Sequence, residues 1–498
     1  AHLKAPAGEV GGVQLPALDV VGATLPGMPF VVLGRTKGVA WGFTNTGPDV
    51  QDLYLEEIDQ NKPGQYRLPE GTAAFSSREE VIQVKGQGAV DITVRSTRHG
   101  PVVSDVQPQY QGVLNTARYA MALRWSALEP DNRSLDAALA ANWARNVDEL
   151  SAAYAAHHSP MQSVVMADTQ GQVGFKAIGR VPVRAAGNDL RGVAPAPGWQ
   201  PQYDWTGWLP YAQTPELSHV QIVALGGHAT ANQRIVGPDY PHHLTQDWIL
   251  PYRHRRIVER LAEHERHDIA SMREIQNDVR SDAMLKLWPT LLQARPRHPL
   301  GEAAMAQLRG FDGAMRADQA APLIGAVWVD EWVRGVIAPR VGSDLFKSLY
   351  GKRDFRAGVE GIIERNDPFW CGAAGCSAAS TAAPERALDR IAAWQGDDVS
   401  RWRWGEAHVA RSAHRPFDRV NALARLFNVE RPTPGDSYTV NVGQYHLSEG
   451  SAPFANRHAA SLRAIYDLSD LERSVFIYQT GQSGVVFSSR YRDMASEW

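Results

Sequence analysis

The sequence predicts a protein of the α+β class, in which antiparallel sheet and helices occupy separate stretches of the chain. Short runs rich in β-branched and aromatic residues dominate residues 1–250, and helical spacing dominates residues 251–400. Strand-like runs return over residues 401–498. Strands and helices therefore do not alternate as they do in a doubly wound parallel fold. The predicted organisation is a sheet-rich core, a mainly helical lobe, and a return to the sheet core.

The sheet-rich first part consists of apolar runs that Gly, Pro and Asn separate. The predicted strands cover residues 30–33, 39–41, 52–56, 92–95, 163–168 and 173–177. Between them, Leu135, Leu139 and Trp143 recur at helical spacing and predict a helix over residues 133–157.

The helical lobe begins where the apolar period changes, near residue 251. Two long helices are predicted, over residues 252–265 and 268–294, and Asp268 is placed to cap the second one. Further helical stretches continue to about Trp394. Strand-like runs resume after Trp402 and end at residues 475–478 and 485–487.

The composition is that of a soluble globular protein, with 44% hydrophobic and 21% charged residues among 498. The 51 Lys and Arg nearly balance the 54 Asp and Glu, giving a formal charge of −3. This balance gives no electrostatic reason to expect nucleic-acid binding. We also expect no membrane span, because Gly and Pro interrupt the most apolar stretch, residues 18–34.

Two cysteines, Cys371 and Cys376, stand five residues apart in a loop-like run. Without further Cys or nearby His they make a poor zinc site. They form either a small disulfide loop, which would indicate an oxidising compartment, or two unrelated free thiols. The chain begins with Ala1 and has no leader-like segment, so we expect an internal or processed piece.

A set of phrases spread in order along the chain resembles the penicillin acylase family, which includes acyl-homoserine-lactone acylases. They include WGFTNTGPDVQD within 39–54, TRHGPV at 97–102, TANQR at 230–234 and PYRHRRI at 251–257. Further matches lie at residues 25–34, 179–184, 195–198, 205–208, 402–408 and 480–484. Each phrase alone is weak, whereas the ordered set covers almost the whole sequence.

The resemblance implies the four-layer αββα sandwich of N-terminal-nucleophile hydrolases, with a helical lobe. In that family a precursor is cut into a small and a large subunit, and the new N-terminal Ser of the large subunit attacks an amide. Its own α-amino group, with an ordinary pKa of about 7.7–8, serves as the base. This sequence is similar to a large subunit without its first segment. Residue 1 is Ala, so we expect this chain alone to be inactive.

Three residues match the family's catalytic positions. Asn232 corresponds to the asparagine whose side chain donates to the oxyanion, and Asn45 to the residue whose main-chain N–H is the second donor. Arg253 corresponds to an arginine at the edge of the site. The alternatives are an Asn that caps a turn and a solvated Arg at a helix start.

A structural calcium ion is the one cofactor that the resemblance implies. Asp49, Gln51, Asp52 and Pro195 match its ligand positions, and carboxylate and carbonyl oxygens suit that ion. The small subunit would supply a further ligand. The alternative is that Asp49 and Asp52 are solvated carboxylates in a loop.

The acyl pocket is expected to include Leu33, Phe43, Trp143 and Met161, although a buried core would explain these apolar residues equally well. His99 and His408 are expected to be structural, because the family mechanism needs no histidine.

The predicted function is hydrolysis of small-molecule N-acyl amides, penicillin-type or N-acyl-homoserine-lactone, with a small subunit as partner and in the periplasm or outside the cell. One alternative is a non-catalytic binding chain of the same fold. Another is a glycoside hydrolase, suggested by 15 Trp, but no motif supplies its carboxylate pair.

Overall fold

The computed structural model describes residues 1–110, 112–352, 355–379, 382–447 and 450–498. The chain divides into two compact units, Ala1–Trp248 and Ile249–Trp498. The sequence predicted a first boundary at residue 250 and a second at 400. Residues 401–498 lie in the same unit as the helices before them, and the predicted return to the sheet core stays a prediction.

The first unit is built mainly from strands, numbered here in chain order. Strands β1–β10 are His2–Ala5, Gly8–Val10, Val13–Leu15, Leu18–Ala23, Leu33–Arg35, Val39–Asn45, Gln51–Glu57, Gln65–Arg67, Thr72–Ala74 and Ser76–Ile82. Strands β11–β19 are Val90–Thr97, Gly100–Pro101, Tyr119–Trp125, Gln162–Asp168, Val173–Ile178, Pro182–Arg184, Ala196–Pro197, Trp205–Trp208 and Glu216–Leu217. Its α-helices are α1 Ser134–Ala141, α2 Val147–Tyr154 and α3 His219–Ala224.

A seven-stranded antiparallel sheet organises this unit, in the order β1-β4-β5-β6-β14-β15-β19. Side chains alternate between its two faces. Trp41 and Val164 lie on the face that packs against helices α1 and α2. Phe175 and Ala177 belong to a second core with Met161 on the other face. Each face of the central strands is therefore buried, which explains their continuous apolar runs.

The second unit is mainly helical. Its α-helices α4–α10 are Tyr252–Leu261, Ile269–Gln276, Asp282–Leu292, Gly301–Arg309, Ala320–Val336, Ala338–Val341 and Ser343–Tyr350. Helices α11–α16 are Phe355–Glu364, Pro368–Cys371, Gly375–Ala379, Ala383–Gln395, Trp404–Ala407 and Asn421–Phe427. Strands β20–β25 are Val409–Ser412, Val429–Pro432, Gly443–Gln444, His458–Ala459, Leu462–Ile465 and Val475–Tyr478.

Helix α8 forms the centre of the second unit, because almost all of its side chains are buried. Leu323, Val327 and Trp328 pack there with residues from the neighbouring helices. Strands β20–β25 pair only with one another among the described residues.

The α+β class is confirmed, and the differences lie in where elements break. The predicted helix over 133–157 is two helices, Ser134–Ala141 and Val147–Tyr154, and extended Asn146 caps the second with its side chain. The prediction over 268–294 also divides, and Ser281 caps the second helix. Asp268 caps the first helix as predicted. Residues 485–487 are not a strand, and Phe487 is 84% exposed.

No helix in the described part of the chain combines the length and the apolar character that crossing a bilayer requires.

Candidate active site

The candidate site begins at the last residue of strand β6. This strand runs from fully buried Val39 to exposed Asn45, and Asn45 pairs with Gln162 at the end of strand β14. The next residue, Thr46, is anchored twice. Its N–H donates to the Met161 carbonyl at 3.2 Å, and its hydroxyl lies 2.9 Å from the Ser163 hydroxyl. The sheet therefore holds the main chain at Asn45 in a fixed place.

Asn232 reaches this strand end from a distant loop. Its Nδ2 donates to the main-chain oxygen of Asn45 at 2.8 Å. Asn232 has φ +67°, a left-handed conformation that asparagine tolerates better than most residues. Beside it, Gln233 is buried and its Oε1 accepts from the Ala231 N–H at 2.7 Å. The loop is therefore fixed on both sides of Asn232.

The segment after Asn45 is fastened to the chain around residue 244. The Asp49 N–H donates to the Leu244 carbonyl at 2.7 Å. The Asp49 carboxylate accepts from the Thr245 hydroxyl at 3.2 Å and lies 3.0 Å from Nε2 of His243. Each carboxylate oxygen of Asp49 therefore has a polar partner within the protein.

Asp52 lies at the start of strand β7 and is buried. Arg184 donates to both of its oxygens, from Nε to Oδ2 at 2.9 Å and from Nη2 to Oδ1 at 2.5 Å. The indole N–H of Trp205 adds a bond to Oδ2 at 2.7 Å. Arg184 and Trp205 are cross-strand partners in strands β16 and β18, which is why both reach the same carboxylate.

A second buried network surrounds His99. Its Nδ1 lies 2.7 Å from Glu56, its Nε2 lies 3.0 Å from Asp204, and its ring stacks on Tyr54. Burial raises the pKa of Asp204, but hydrogen bonds from His99 and Arg98 outweigh that effect and lower it overall. Both ring nitrogens of His99 are thus engaged by carboxylates, an arrangement that suits the structural role expected from the sequence.

A family model described as penicillin amidase matches residues 2–498. The chain belongs to the penicillin amidase family. It is 28% identical to the acyl-homoserine lactone acylase QuiP of Pseudomonas fluorescens (strain Pf0-1), over 98% of this chain and 60% of that protein. It is 27% identical to the penicillin acylase 2 proenzyme of Pseudomonas sp. (strain SE83), over 96% of this chain and 60% of that protein.

The chain therefore spans about three fifths of the length of these relatives. Its fold is similar to that of a thermostable penicillin G acylase from Alcaligenes faecalis, with a TM-score of 0.69 and 22% identity. The match covers 99% of this chain and 88% of that one. The chain thus has the N-terminal-nucleophile hydrolase fold that the sequence predicted.

The contact between Asn232 and Asn45 matters in a penicillin amidase family member, because these are the two predicted oxyanion donors. The structure brings them together in one unit although 187 positions separate them. Arg253, the third predicted catalytic residue, lies in the second unit, on helix α4. Its role at the site stays a prediction.

Two of the four residues expected to bind calcium have carboxylates that are engaged within the protein. Both oxygens of Asp52 are bonded to Arg184, and the Asp49 carboxylate is bonded to Thr245 and His243. Gln51 and Pro195 line a neighbouring cleft together with Gly192. In the described ranges, no three or more His, Cys, Asp or Glu side chains are grouped so as to hold a metal.

The four residues expected in the acyl pocket are dispersed. By strand alternation, Phe43 shares a sheet face with Trp41, whereas Leu33 lies on the opposite face from Gly34, the partner of Trp41. Phe43 packs against the core under helices α1 and α2, and Met161 is fully enclosed in the other core. The Trp143 indole N–H donates to the Pro16 carbonyl at 3.2 Å. The acyl pocket therefore stays a prediction.

The second unit contains an open cavity of about 110 Å³ whose lining includes Arg253. Lys352 and Arg356 add positive charge, while Tyr438 and Tyr445 contribute aromatic surface. Burial is the main cause of a raised pKa for the Tyr445 hydroxyl, so that this residue stays protonated.

Cys371 and Cys376 are joined by a disulfide bond, and both are buried. His408 is also buried, with Nδ1 2.7 Å from the Phe454 carbonyl and its ring stacked on Trp404. Burial lowers the pKa of His408 to about 4, which keeps the ring neutral.

Arg184 was not predicted from the sequence as a partner of the expected calcium ligands. Arg184 was within a matching phrase, residues 179–184, but nothing in the local pattern pointed to a carboxylate 132 residues away. The only available signal was that Asp52 needs a buried counter-charge if its strand is a central one.

Proposed function

We propose that this chain is the larger part of an amidohydrolase that cleaves N-acyl amides through an acyl-enzyme intermediate. Its membership of the penicillin amidase family supports amide hydrolysis as the reaction. Relatives of similar overall identity carry the names acyl-homoserine lactone acylase and penicillin acylase. The proposed substrates are accordingly N-acyl-homoserine lactones or penicillin-type amides.

The observation that carries this proposal is the 2.8 Å hydrogen bond from Asn232 Nδ2 to the Asn45 carbonyl. It fixes the Asn232 amide beside the main chain of Asn45. We assign the Asn232 side-chain amide and the Asn45 N–H to the oxyanion of the tetrahedral intermediate.

The proposed nucleophile is an N-terminal serine that is not among these 498 residues. Two observations support a longer parent protein: the chain spans 60% of its relatives, and one relative is named a proenzyme. The serine Oγ would bond to the amide carbon, and its proton would pass through the α-amino group to the leaving amine. Water would then cleave the ester and release the acid.

The proposed partner is a small subunit from the same precursor, and the proposed location is the periplasm or the exterior of the cell. The Cys371–Cys376 disulfide supports an oxidising compartment, since thiols are kept reduced in the cytosol.

The test is to express the complete gene and to assay the purified protein on phenylacetyl and long-chain acyl amides. Release of a free amine from either class, together with a processed N-terminal serine, supports the proposal. Correct processing with no release from either class contradicts it. A gene that encodes no serine at the processing point would instead favour a non-catalytic binding chain.

A further inference from the structure

Arg184 occupies the place in the first unit where a calcium ion was expected. Its side chain is 6% exposed and that of Asp52 is 5% exposed. Besides both Asp52 oxygens, Arg184 Nη2 donates to the main-chain oxygen of Asp49 at 2.9 Å. The three oxygens that accept from Arg184 thus belong to two of the four residues expected to bind the ion.

We propose that Arg184 is the fixed cation of this segment, that it takes the place of a bound calcium ion, and that the protein needs no divalent metal here. The inference concerns the first unit alone and does not depend on the proposed reaction.

The stereochemistry favours the guanidinium over the ion. Arginine presents N–H groups in a planar fork that matches the two oxygens of a carboxylate. Calcium requires six to eight oxygen ligands, at about 2.3–2.6 Å. Here Trp205 also donates to Asp52, and an ion placed against the same oxygens would face the positive charge of Arg184 at close range.

The loop beside the pair closes it off. Gly192 has φ +84°, and a Cβ added there would meet Asp52 Oδ1 at 2.5 Å and Arg184 Nη2 at 2.8 Å. Only glycine fits this position, because of both its left-handed backbone and its lack of a side chain. The loop leads to Pro195, another residue of the expected calcium set, so the chain is packed directly onto the ion pair.

The contacts also explain what the cation does. Asp49 is fastened to Leu244 and Thr245, and Asp52 to Arg184 and Trp205. Arg184 donates hydrogen bonds to both Asp49 and Asp52, so it links the two sets of contacts. It is therefore a positioning residue for the chain that follows Asn45.

The first experiment measures the metal dependence of the protein, isolated with any chain that remains bound to it. We expect substoichiometric calcium by elemental mass spectrometry and the same Tm in EGTA and in excess calcium chloride. One calcium per chain, or a Tm that falls in EGTA and recovers with calcium, overturns the proposal. No substrate is needed, so failure here is distinct from failure of the proposed enzyme activity.

The second experiment is a double-mutant cycle on Arg184→Met and Asp52→Asn. Arg184→Met leaves a buried carboxylate unpaired and is expected to lower Tm by roughly 6 °C or more. The double variant is expected to lose less than the sum of the two single variants, because no charge remains unpaired. Additive losses contradict the pairing. If Arg184→Met does not fold, Arg184→Lys is used instead, because lysine keeps the positive charge but lacks the planar guanidinium. Its Tm is measured at the same calcium levels.

Arg180 offers a matched control in the same segment. It pairs with Asp131, whose side chain is 60% exposed, and its guanidinium lies over Trp208 as that of Arg184 lies over Trp205. Because exposed pairs contribute little, Arg180→Met is expected to leave Tm nearly unchanged. A loss equal to that of Arg184→Met would show that any arginine here has the same effect, and would contradict a special role for Arg184.

Discussion

The side-chain amide of Asn232 lies 2.8 Å from the main-chain oxygen of Asn45, although 187 positions separate the two residues. Strand β6 fixes one partner, and a loop in which Asn232 adopts a left-handed conformation fixes the other. Asparagine adopts this conformation more readily than most residues with a side chain. This contact is the basis of the proposed oxyanion site.

Replacing Asn232 is expected to reduce turnover far more than binding. For Asn232→Ala in the complete protein, we expect kcat to fall by about 10²–10³, because one of two oxyanion donors is lost. KM should change little, since this interaction strengthens only in the transition state. Steady-state kinetics check the prediction, with Asn61→Ala, in an exposed turn, as the control. A proportionate rise in KM with unchanged kcat would show that Asn232 only binds substrate.

Asn45 is expected to tolerate a substitution that keeps its main-chain N–H but not one that removes it, because this N–H is the proposed donor. Asn45→Ala keeps the N–H, so activity should remain within a few-fold of wild type. Asn45→Pro removes that N–H and should lower kcat by about 10² or more. Circular dichroism and Tm measurements establish that each variant is folded. Equal loss of activity in both folded variants would point to the side chain instead.

His408 is expected to make stability fall in mild acid. Burial lowers its pKa to about 4, whereas an unfolded chain has the ordinary value of about 6.5. The unfolded state therefore binds more protons between these two pH values. The stability that neutral His408 contributes is fully present above about pH 6.5 and is lost as the pH falls towards 4. The loss from this residue amounts to about 3 kcal/mol at most.

Denaturant unfolding at pH 7 and pH 4.5 measures this dependence. His408→Asn should be less stable than wild type at pH 7 but should lose less free energy of unfolding on acidification. His264→Asn, at an exposed position, is the control and should keep the wild-type pH dependence. An unchanged pH dependence in His408→Asn would mean that another group causes the acid sensitivity.

The two cysteines are expected to be oxidised in the isolated protein. Thiol titration in denaturant without reductant should find no free thiol, since both cysteines are bonded to each other. The loop they close is short, so reduction should cost only about 2 kcal/mol of stability. Two reactive thiols in freshly isolated protein would argue against an oxidising compartment.

The sequence predicted the α+β class and the central strands because buried strands carry uninterrupted β-branched and aromatic runs. Residues 163–168 and 173–177 lie within observed strands β14 and β15. Helix breaks were harder to predict, because they depend on distant partners. Asn142 follows helix α1 and bonds Val31, 111 residues away, and no local pattern contains that contact.

The resemblance alone identified the two residues assigned to the oxyanion, and their roles stay predictions. Asn45 and Asn232 were assigned by resemblance and lie together in the structure. The environment of Asp52 was not predictable, since its charge could be matched by an ion or by a side chain, and only the fold brings Arg184 to it. Likewise, the alternation that places Leu33 and Phe43 on opposite sheet faces depends on strand register.

The most direct test of the account is the crystal structure of the complete protein with a covalent phosphonate or boronate bound at the nucleophile. We predict that the inhibitor oxygen standing in for the oxyanion lies about 2.7–3.1 Å from both Asn232 Nδ2 and the Asn45 main-chain nitrogen. An inhibitor oxygen that is held by other groups, with Asn232 and Asn45 out of hydrogen-bond range, would contradict the proposed site.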